Sequence, residues 1–253
     1  MLGGTFAGTI GDLLGWRGIM FVLGGMIIAV GSAVWIGFRR SGIGSSPVKA
    51  DFGALMRRYR GIFGNPNATI CYLATAITGG TFVGLFPFVA VFLFEAGVTR
   101  AFIPGVVIAG FAVGGLVYTL TISRMLARFG VKTLMAGGVT LSALQLAIFA
   151  VGLRWELQVL NFVLLGCGFF YFYGGLQFFV STLSKEVNAS ALALLTFSFF
   201  IGTSLGTIVY GVGIVNLGQT PTVMIAAVLI LIVGLVSTRL LRLMPAKADS
   251  VAI

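Results

Sequence analysis

The sequence predicts an all-α integral membrane protein with eight hydrophobic segments. Hydrophobic residues make up 58% of the 253 positions and charged residues only 9%, whereas a soluble domain carries about 25% charged residues. The mean hydropathy is +1.11. The apolar residues lie in runs of about twenty, which is the helix length that crosses a hydrocarbon core of about 30 Å.

These runs are predicted to be helices and not the strands of a membrane barrel. In lipid every backbone N–H and C=O group must find its partner within the protein, so only helices and closed barrels cross. A barrel strand is about 10 residues long and alternates apolar with polar side chains. The runs in this chain are longer and apolar on all sides.

Short polar connections separate the eight segments. The segments cover residues 1–14, 18–38, 68–94, 103–122, 133–153, 157–181, 189–215 and 222–243. The first segment is a partial span, because a helix of its length extends only about 21 Å. We therefore expect an N-terminally truncated chain that begins inside a helix.

The longest connection, residues 39–67, is the one domain boundary that the sequence indicates. Its stretch 41–47 is rich in Ser, Gly and Pro, as linkers are, and residues 51–63 are predicted to form an amphipathic helix on the membrane surface. The expected divisions are an N-terminal part (1–38), a linker (39–67), a six-helix part (68–244) and a tail (245–253).

The basic residues predict the orientation. Of sixteen Lys and Arg residues, all but Arg17, Arg100 and Arg154 lie in alternate connections or beside the tail. Cytoplasmic loops are enriched in Lys and Arg, so the sequence predicts a multi-pass protein of the inner cell membrane with a cytoplasmic C-terminus. The net charge of +10 is spread over helix ends, so it indicates contact with a lipid bilayer and no nucleic-acid partner.

Two local patterns carry a family resemblance. The first is a row of small residues, Gly3, Gly8 and Gly11, which precedes a Gly-Trp-Arg turn at residues 15–17. The second is a cytoplasmic loop motif at residues 123–132, whose members are Arg128, Gly130 and Lys132, with Ala127 at its acidic position. Together these patterns resemble the major facilitator superfamily of transporters.

The resemblance implies a major-facilitator-type helical bundle. That family has twelve helices in two halves, and this chain resembles the end of helix five through helix twelve, with residues 39–67 as the central linker. The first motif is similar to the fifth-helix signature of proton-coupled antiporters, where small residues pack and gate the pathway. In that family the charges of this loop hold neighbouring helix ends together in one conformation. Here Ala127 stands in the acidic position, so Arg128 either keeps this latch role or only fixes the orientation of the chain in the membrane.

The implied function is secondary active transport of a small solute by alternating access. The resemblance to the drug- and sugar-efflux branch favours export of an amphipathic or drug-like molecule, with proton coupling left open. Two alternatives remain, a non-functional or regulatory transporter fragment and a membrane-embedded lipid-handling enzyme. An enzyme is not expected, because the spans offer no catalytic carboxylates and the chain contains no His.

Phe170, Tyr173 and Gln177 form the predicted substrate-binding stripe. They recur at i, i+3 and i+7, so they share one face of a helix. Rings with a polar edge suit a mostly apolar solute with one or two hydrogen-bonding groups, although such rings also serve interhelical packing. Further polar contacts are expected from Asn161, Gln145, Thr81 and Tyr118.

Two residues in the third segment, Gly84 and Pro87, predict a bend, because Pro removes a backbone hydrogen bond. Such bends are places where transporters of the resembled family flex.

No metal or cofactor is expected, and Cys71 and Cys167 are interpreted as small core residues. The carboxylates nearest the spans, Asp12, Glu95, Glu156 and Glu186, lie at segment ends. A residue that takes up the proton is therefore expected upstream of this chain, with Asp12 as a second candidate.

Overall fold

A computed structural model describes residues 2–41, 66–100, 102–182 and 188–241. The predicted amphipathic helix 51–63, most of the linker 39–67 and the tail 245–253 lie outside these ranges. The surroundings of Gly3, Gly8 and Gly11 and the side chain of Asp12 also lie outside what is described.

The described backbone is helical and contains no strand, which confirms the all-α class. Its helices are α1 (Leu2–Ser41), α2 (Pro66–Phe82), α3 (Phe86–Glu95), α4 (Phe102–Val151), α5 (Trp155–Ser181), α6 (Asn188–Leu217) and α7 (Gln219–Leu240). Six stretches of the described chain are long and apolar enough to cross a membrane, with α2 and α3 counted together. A multi-pass helical membrane protein follows from these lengths.

Two of the helices are pairs of segments joined at a glycine. The backbone is left-handed at Gly15 in α1 (φ 67°) and at Gly130 in α4 (φ 73°), a conformation that glycine adopts without steric cost. Dividing α1 and α4 at these glycines, and joining α2 to α3, restores the eight predicted segments.

The connection at residues 123–132 differs from the loop that the sequence predicted. Helix α4 continues to Phe129, and the turn is confined to Gly130. Residues 102–129 extend about 42 Å as a helix, longer than the apolar core. A helix of this length can carry Arg124 and Arg128, both exposed, beyond the apolar core, so these charges need no irregular loop.

The predicted bend in the third segment is present between α2 and α3. The N–H groups of Val83 and Gly84 both donate to the Gly79 carbonyl, at 3.0 and 3.1 Å. Pro87 lies in the first turn of α3, where its lack of an N–H group is tolerated. The helix is therefore interrupted over residues 83–85 and restarts at Phe86.

Glycines bring the helices of the bundle into backbone contact. Helix α2 packs on α6, and a Cβ atom on Gly80 would lie 2.8 Å from the Gly202 carbonyl oxygen. Helix α4 packs on α5, where a Cβ atom on Gly138 would lie 2.7 Å from the Gly168 carbonyl oxygen. Small residues allow such approach, and van der Waals packing is the main attraction between helices in lipid.

The second segment of α1 presents apolar side chains outwards. None of the described side chains between Met20 and Arg39 is buried, and Phe21 is 82% exposed. Helix α1 contacts α4. The buried core described by the structure lies within α2 to α7.

Candidate substrate-binding surface

The centre of the bundle holds an aromatic cluster, made up of Phe82, Phe111, Phe169, Phe170, Tyr173 and Phe199. Phe169 is its hub and is only 3% exposed. The Phe169 ring centroid lies 5.0 Å from those of Phe111 and Phe170, and 5.4 Å from that of Tyr173. These separations are typical of favourable ring pairs.

The structure divides the predicted stripe between two neighbouring helices. Phe170 stacks on Tyr118 of α4 at 5.9 Å, and a Cβ atom on Gly115 would lie 2.7 Å from its ring. Tyr173 faces α6, where its ring lies 5.2 Å from Phe199. Phe170 therefore packs α5 on α4, while Tyr173 extends towards α6.

Gln177 forms the polar end of the stripe. Its side chain is exposed, one helical turn after Tyr173. A cavity of about 360 Å³ opens beside it, lined by Gly174, Gln177, Phe178, Ser181, Leu192 and Thr196. The cavity thus offers a solute the Phe178 ring, the Gln177 amide and the hydroxyl groups of Ser181 and Thr196, at the junction of α5 and α6.

Asn161 and Gln145 lie apart from the stripe, in a buried amide group that also contains Gln158. The Asn161 amide nitrogen donates to the Gln145 carbonyl at 3.1 Å and to Gln158 Oε1 at 3.0 Å. Its Oδ1 atom is buried without a hydrogen-bond partner. From Asn161 to Phe170, the nearest residue of the stripe, the α5 axis spans about 14 Å, so the structure does not bring these amides to the stripe.

Thr81 also lies away from the stripe. It is buried, and its carbonyl accepts a hydrogen bond of 2.9 Å from the Tyr210 hydroxyl. Thr81 lines a largely apolar cavity of about 320 Å³ between α2, α6 and α7. The hydrogen bond to the Thr81 carbonyl joins α2 to α6. Gly84 lies three residues further on, at the break between α2 and α3.

Gln158 is a polar residue that the sequence prediction missed. It is 1% exposed although it lies in the first turn of α5. The available signal was its spacing from Asn161, because side chains three residues apart are neighbours on a helix.

The residues of the loop motif lie around Gly130, where the two segments of α4 meet. The Arg128 guanidinium lies 5.3 Å from the Phe129 ring centroid, and Lys132 is half-buried. A Cβ atom on Gly130 would meet no atom within 4 Å, but the positive φ would strain any other residue there. The latch that the resemblance implies for Arg128 stays a prediction.

Two carboxylates are described, and both lie at helix ends. Glu156 pairs with Arg154 at 3.3 Å, and the Oε2 atom of Glu95 accepts a hydrogen bond from the Gln219 amide. Among the described residues, no three His, Cys, Asp or Glu side chains lie close enough together to hold a metal ion. Cys71 and Cys167 are both buried and unlinked.

Comparison with known proteins adds one match. Residues 49–244 match the family model described as "Nucleoside H+ symporter". This range covers the six-helix part and the end of the linker. No curated protein and no solved structure matches the chain.

Proposed function

Because the chain belongs to the nucleoside H+ symporter family, we propose that it carries a nucleoside and a proton together across the membrane into the cell. Membership of this family establishes a secondary active membrane transporter and not an enzyme. The match over residues 49–244 is the observation that carries the proposal.

We propose uptake in place of the efflux that the resemblance to the drug- and sugar-efflux branch favoured. A symporter moves its solute in the same direction as the proton, whereas the antiporter signature implied opposite directions. The glycines behind that signature, Gly3, Gly8 and Gly11, can be accounted for by close helix packing alone. The family match therefore supports a nucleoside substrate over a drug-like one.

The chemistry of the stripe supports a nucleoside. A nucleobase is flat and aromatic, so it can stack on the Phe178 ring, which lines the cavity beside Gln177. The Gln177 amide offers one donor side and one acceptor side, which matches the edge of a base. We assign the base to the cavity beside Gln177, between the Phe178 ring and the Gln177 amide.

The proposed orientation follows the basic residues. Symport into the cell needs the proton and nucleoside to enter from the side of Arg100 and Arg154, at the opposite end of the bundle from Arg128. The bias of Lys and Arg towards the cytoplasm supports this direction. The C-terminus is then cytoplasmic, and Gly84 and Pro87 are proposed to provide flexibility on the outer side of α2.

Reconstitution of the full chain into proteoliposomes tests the proposal. With the outside more acidic than the lumen, we expect labelled uridine to accumulate above its external concentration, and a protonophore to abolish the accumulation. Empty liposomes are the control. If the folded chain accumulates neither uridine nor adenosine under the gradient, symport by this chain is wrong and the regulatory-fragment alternative gains support.

Replacing Gln177 is expected to weaken substrate binding. Gln177→Leu keeps the bulk of the side chain but removes its donor and acceptor, a loss of about 1 kcal/mol. We expect the KM for uridine to rise about fivefold, with little change in the maximal rate. Asn216→Leu is the matched control, because Asn216 is an exposed amide that bonds only the Val212 carbonyl of its own helix. Equal KM values for the two variants would contradict the assignment.

A further inference from the structure

A second polar cavity lies at the opposite end of α5 from Gln177. It has a volume of about 300 Å³, near the lower limit for small-molecule pockets. Ends of α3, α4, α5 and α7 enclose it. By the distribution of Lys and Arg, this is the outer end of the bundle.

The polar side chains of this outer cavity are a carboxylate, two amides and the Thr220 hydroxyl, which donates to the Ala150 carbonyl at 3.1 Å. Glu95 closes α3, Gln219 opens α7, and Gln158 enters from the first turn of α5. Gln219 donates to one oxygen of Glu95, and that carboxylate has further lone pairs to accept other donors. The set is rich in acceptors and carries no cation.

Gln158 is held in place by a neighbouring side chain. Its Oε1 atom accepts a hydrogen bond of 3.0 Å from the Asn161 amide, and this bond fixes the orientation of the Gln158 side chain. At 1% exposure it is a buried polar side chain that still lines the cavity. Maintaining a desolvated amide inside a membrane bundle is costly unless it is hydrogen-bonded.

Aromatic rings complete the outer cavity. Phe92 and Phe149 line it with centroids 5.5 Å apart and ring planes inclined by 33°. Acceptor-rich polar groups beside apolar ring faces are suited to a sugar, whose hydroxyls donate while its C–H face packs on rings. Adjacent hydroxyls on a ribose can donate to a carboxylate together.

We propose that the outer cavity recognises the ribose hydroxyls of the substrate before it reaches the stripe. Glu95 accepts the hydroxyl protons, and Gln158 orients the sugar against the rings of Phe92 and Phe149. This inference rests on the proposed nucleoside transport. It assigns selection for the sugar to the outer end of the bundle, and selection for the base to the cavity beside Gln177.

The test compares uridine with 2′,3′-dideoxyuridine, which lacks both vicinal hydroxyls, in proteoliposomes holding the full chain. Wild type is expected to show a KM for uridine about tenfold below that for the dideoxy analogue. Glu95→Gln is expected to raise the KM for uridine about tenfold and to leave that for the analogue unchanged. Glu156→Gln is the matched control, since Glu156 pairs with Arg154 outside this cavity, and it is expected to keep the wild-type ratio.

Each remaining outcome counts against the inference. If wild type takes up uridine and Glu95→Gln keeps the wild-type ratio of the two KM values, the proposed role of the outer cavity is wrong. The proposed function is then unaffected. An equal loss for both substrates shows a structural role for Glu95 and also overturns the inference. If wild type accumulates neither substrate, the proposed function falls together with the inference. Should Glu95→Gln fail to fold, Gln219→Leu removes the amide that orients Glu95 and is judged by the same ratio.

Discussion

Replacing Gly202 by alanine is expected to destabilise the bundle by about 3 kcal/mol, at the upper end of the cost of overpacking a core. A Cβ atom at this position would overlap the carbonyl group and Cα atom of Ala76 in α2. These are backbone atoms, so no side-chain rotation can relieve the overlap. Helices α2 and α6 must separate, and the packing that joins them in lipid is lost.

The midpoint of thermal unfolding of the detergent-solubilised protein measures this effect. Gly137→Ala is the matched control, because a Cβ atom there would meet no atom within 4 Å. Alanine is favoured over glycine in a helix by about 1 kcal/mol, so this control is expected to be unchanged or more stable. A Gly202→Ala protein as stable as the Gly137→Ala protein would show that α2 and α6 are not in backbone contact.

Replacing Phe169 by alanine is expected to cost about 3 kcal/mol of folding free energy. The usual cost for a buried phenylalanine is 3–5 kcal/mol, which includes transfer from water and the cavity left behind. In a membrane the unfolded reference is also apolar, so the transfer part shrinks and the packing part remains. Phe169 is the hub of the aromatic cluster, so its loss leaves five rings without their common partner.

The same substitution is expected to reduce uptake as well as stability. Tyr173 stacks on Phe169 with ring centroids 5.4 Å apart, and it lies one helical turn before Gln177, so the loss of Phe169 removes the packing beside the proposed site. Phe197→Ala is the control, since Phe197 is 63% exposed and has less packing to lose. Unfolding midpoints and uridine uptake are measured on both variants. Equal midpoints for the two would mean that Phe169 does not hold the cluster together.

Local features of the fold could be predicted from the sequence. The break near Gly84 and Pro87 was foreseen, because glycine and proline act on the backbone within a few residues. The extent of α4 was not foreseen. Arg124 and Arg128 indicated a loop, yet a helix can carry charges past the apolar layer by its length alone.

The candidate site was only partly predictable, for a geometric reason. Phe170, Tyr173 and Gln177 share a face, but that face spans the contacts of α5 with both α4 and α6, so neighbouring members have different partners. Asn161 and Gln145 were expected with the stripe and lie instead with Gln158. A helix that is apolar on all sides has no amphipathic pattern to show which face is buried.

By itself, the sequence determined the class of protein, its eight segments and the helix break near Gly84 and Pro87. Each of these depends on composition or on the backbone of a few consecutive residues. The tertiary structure alone decided that α2 and α6 meet at Gly80 and Gly202, and that Phe169 joins rings from four helices. It also placed Glu95 beside Gln219 in the wall of a cavity. Such pairs lie far apart in the chain, and they come together only when whole helices pack.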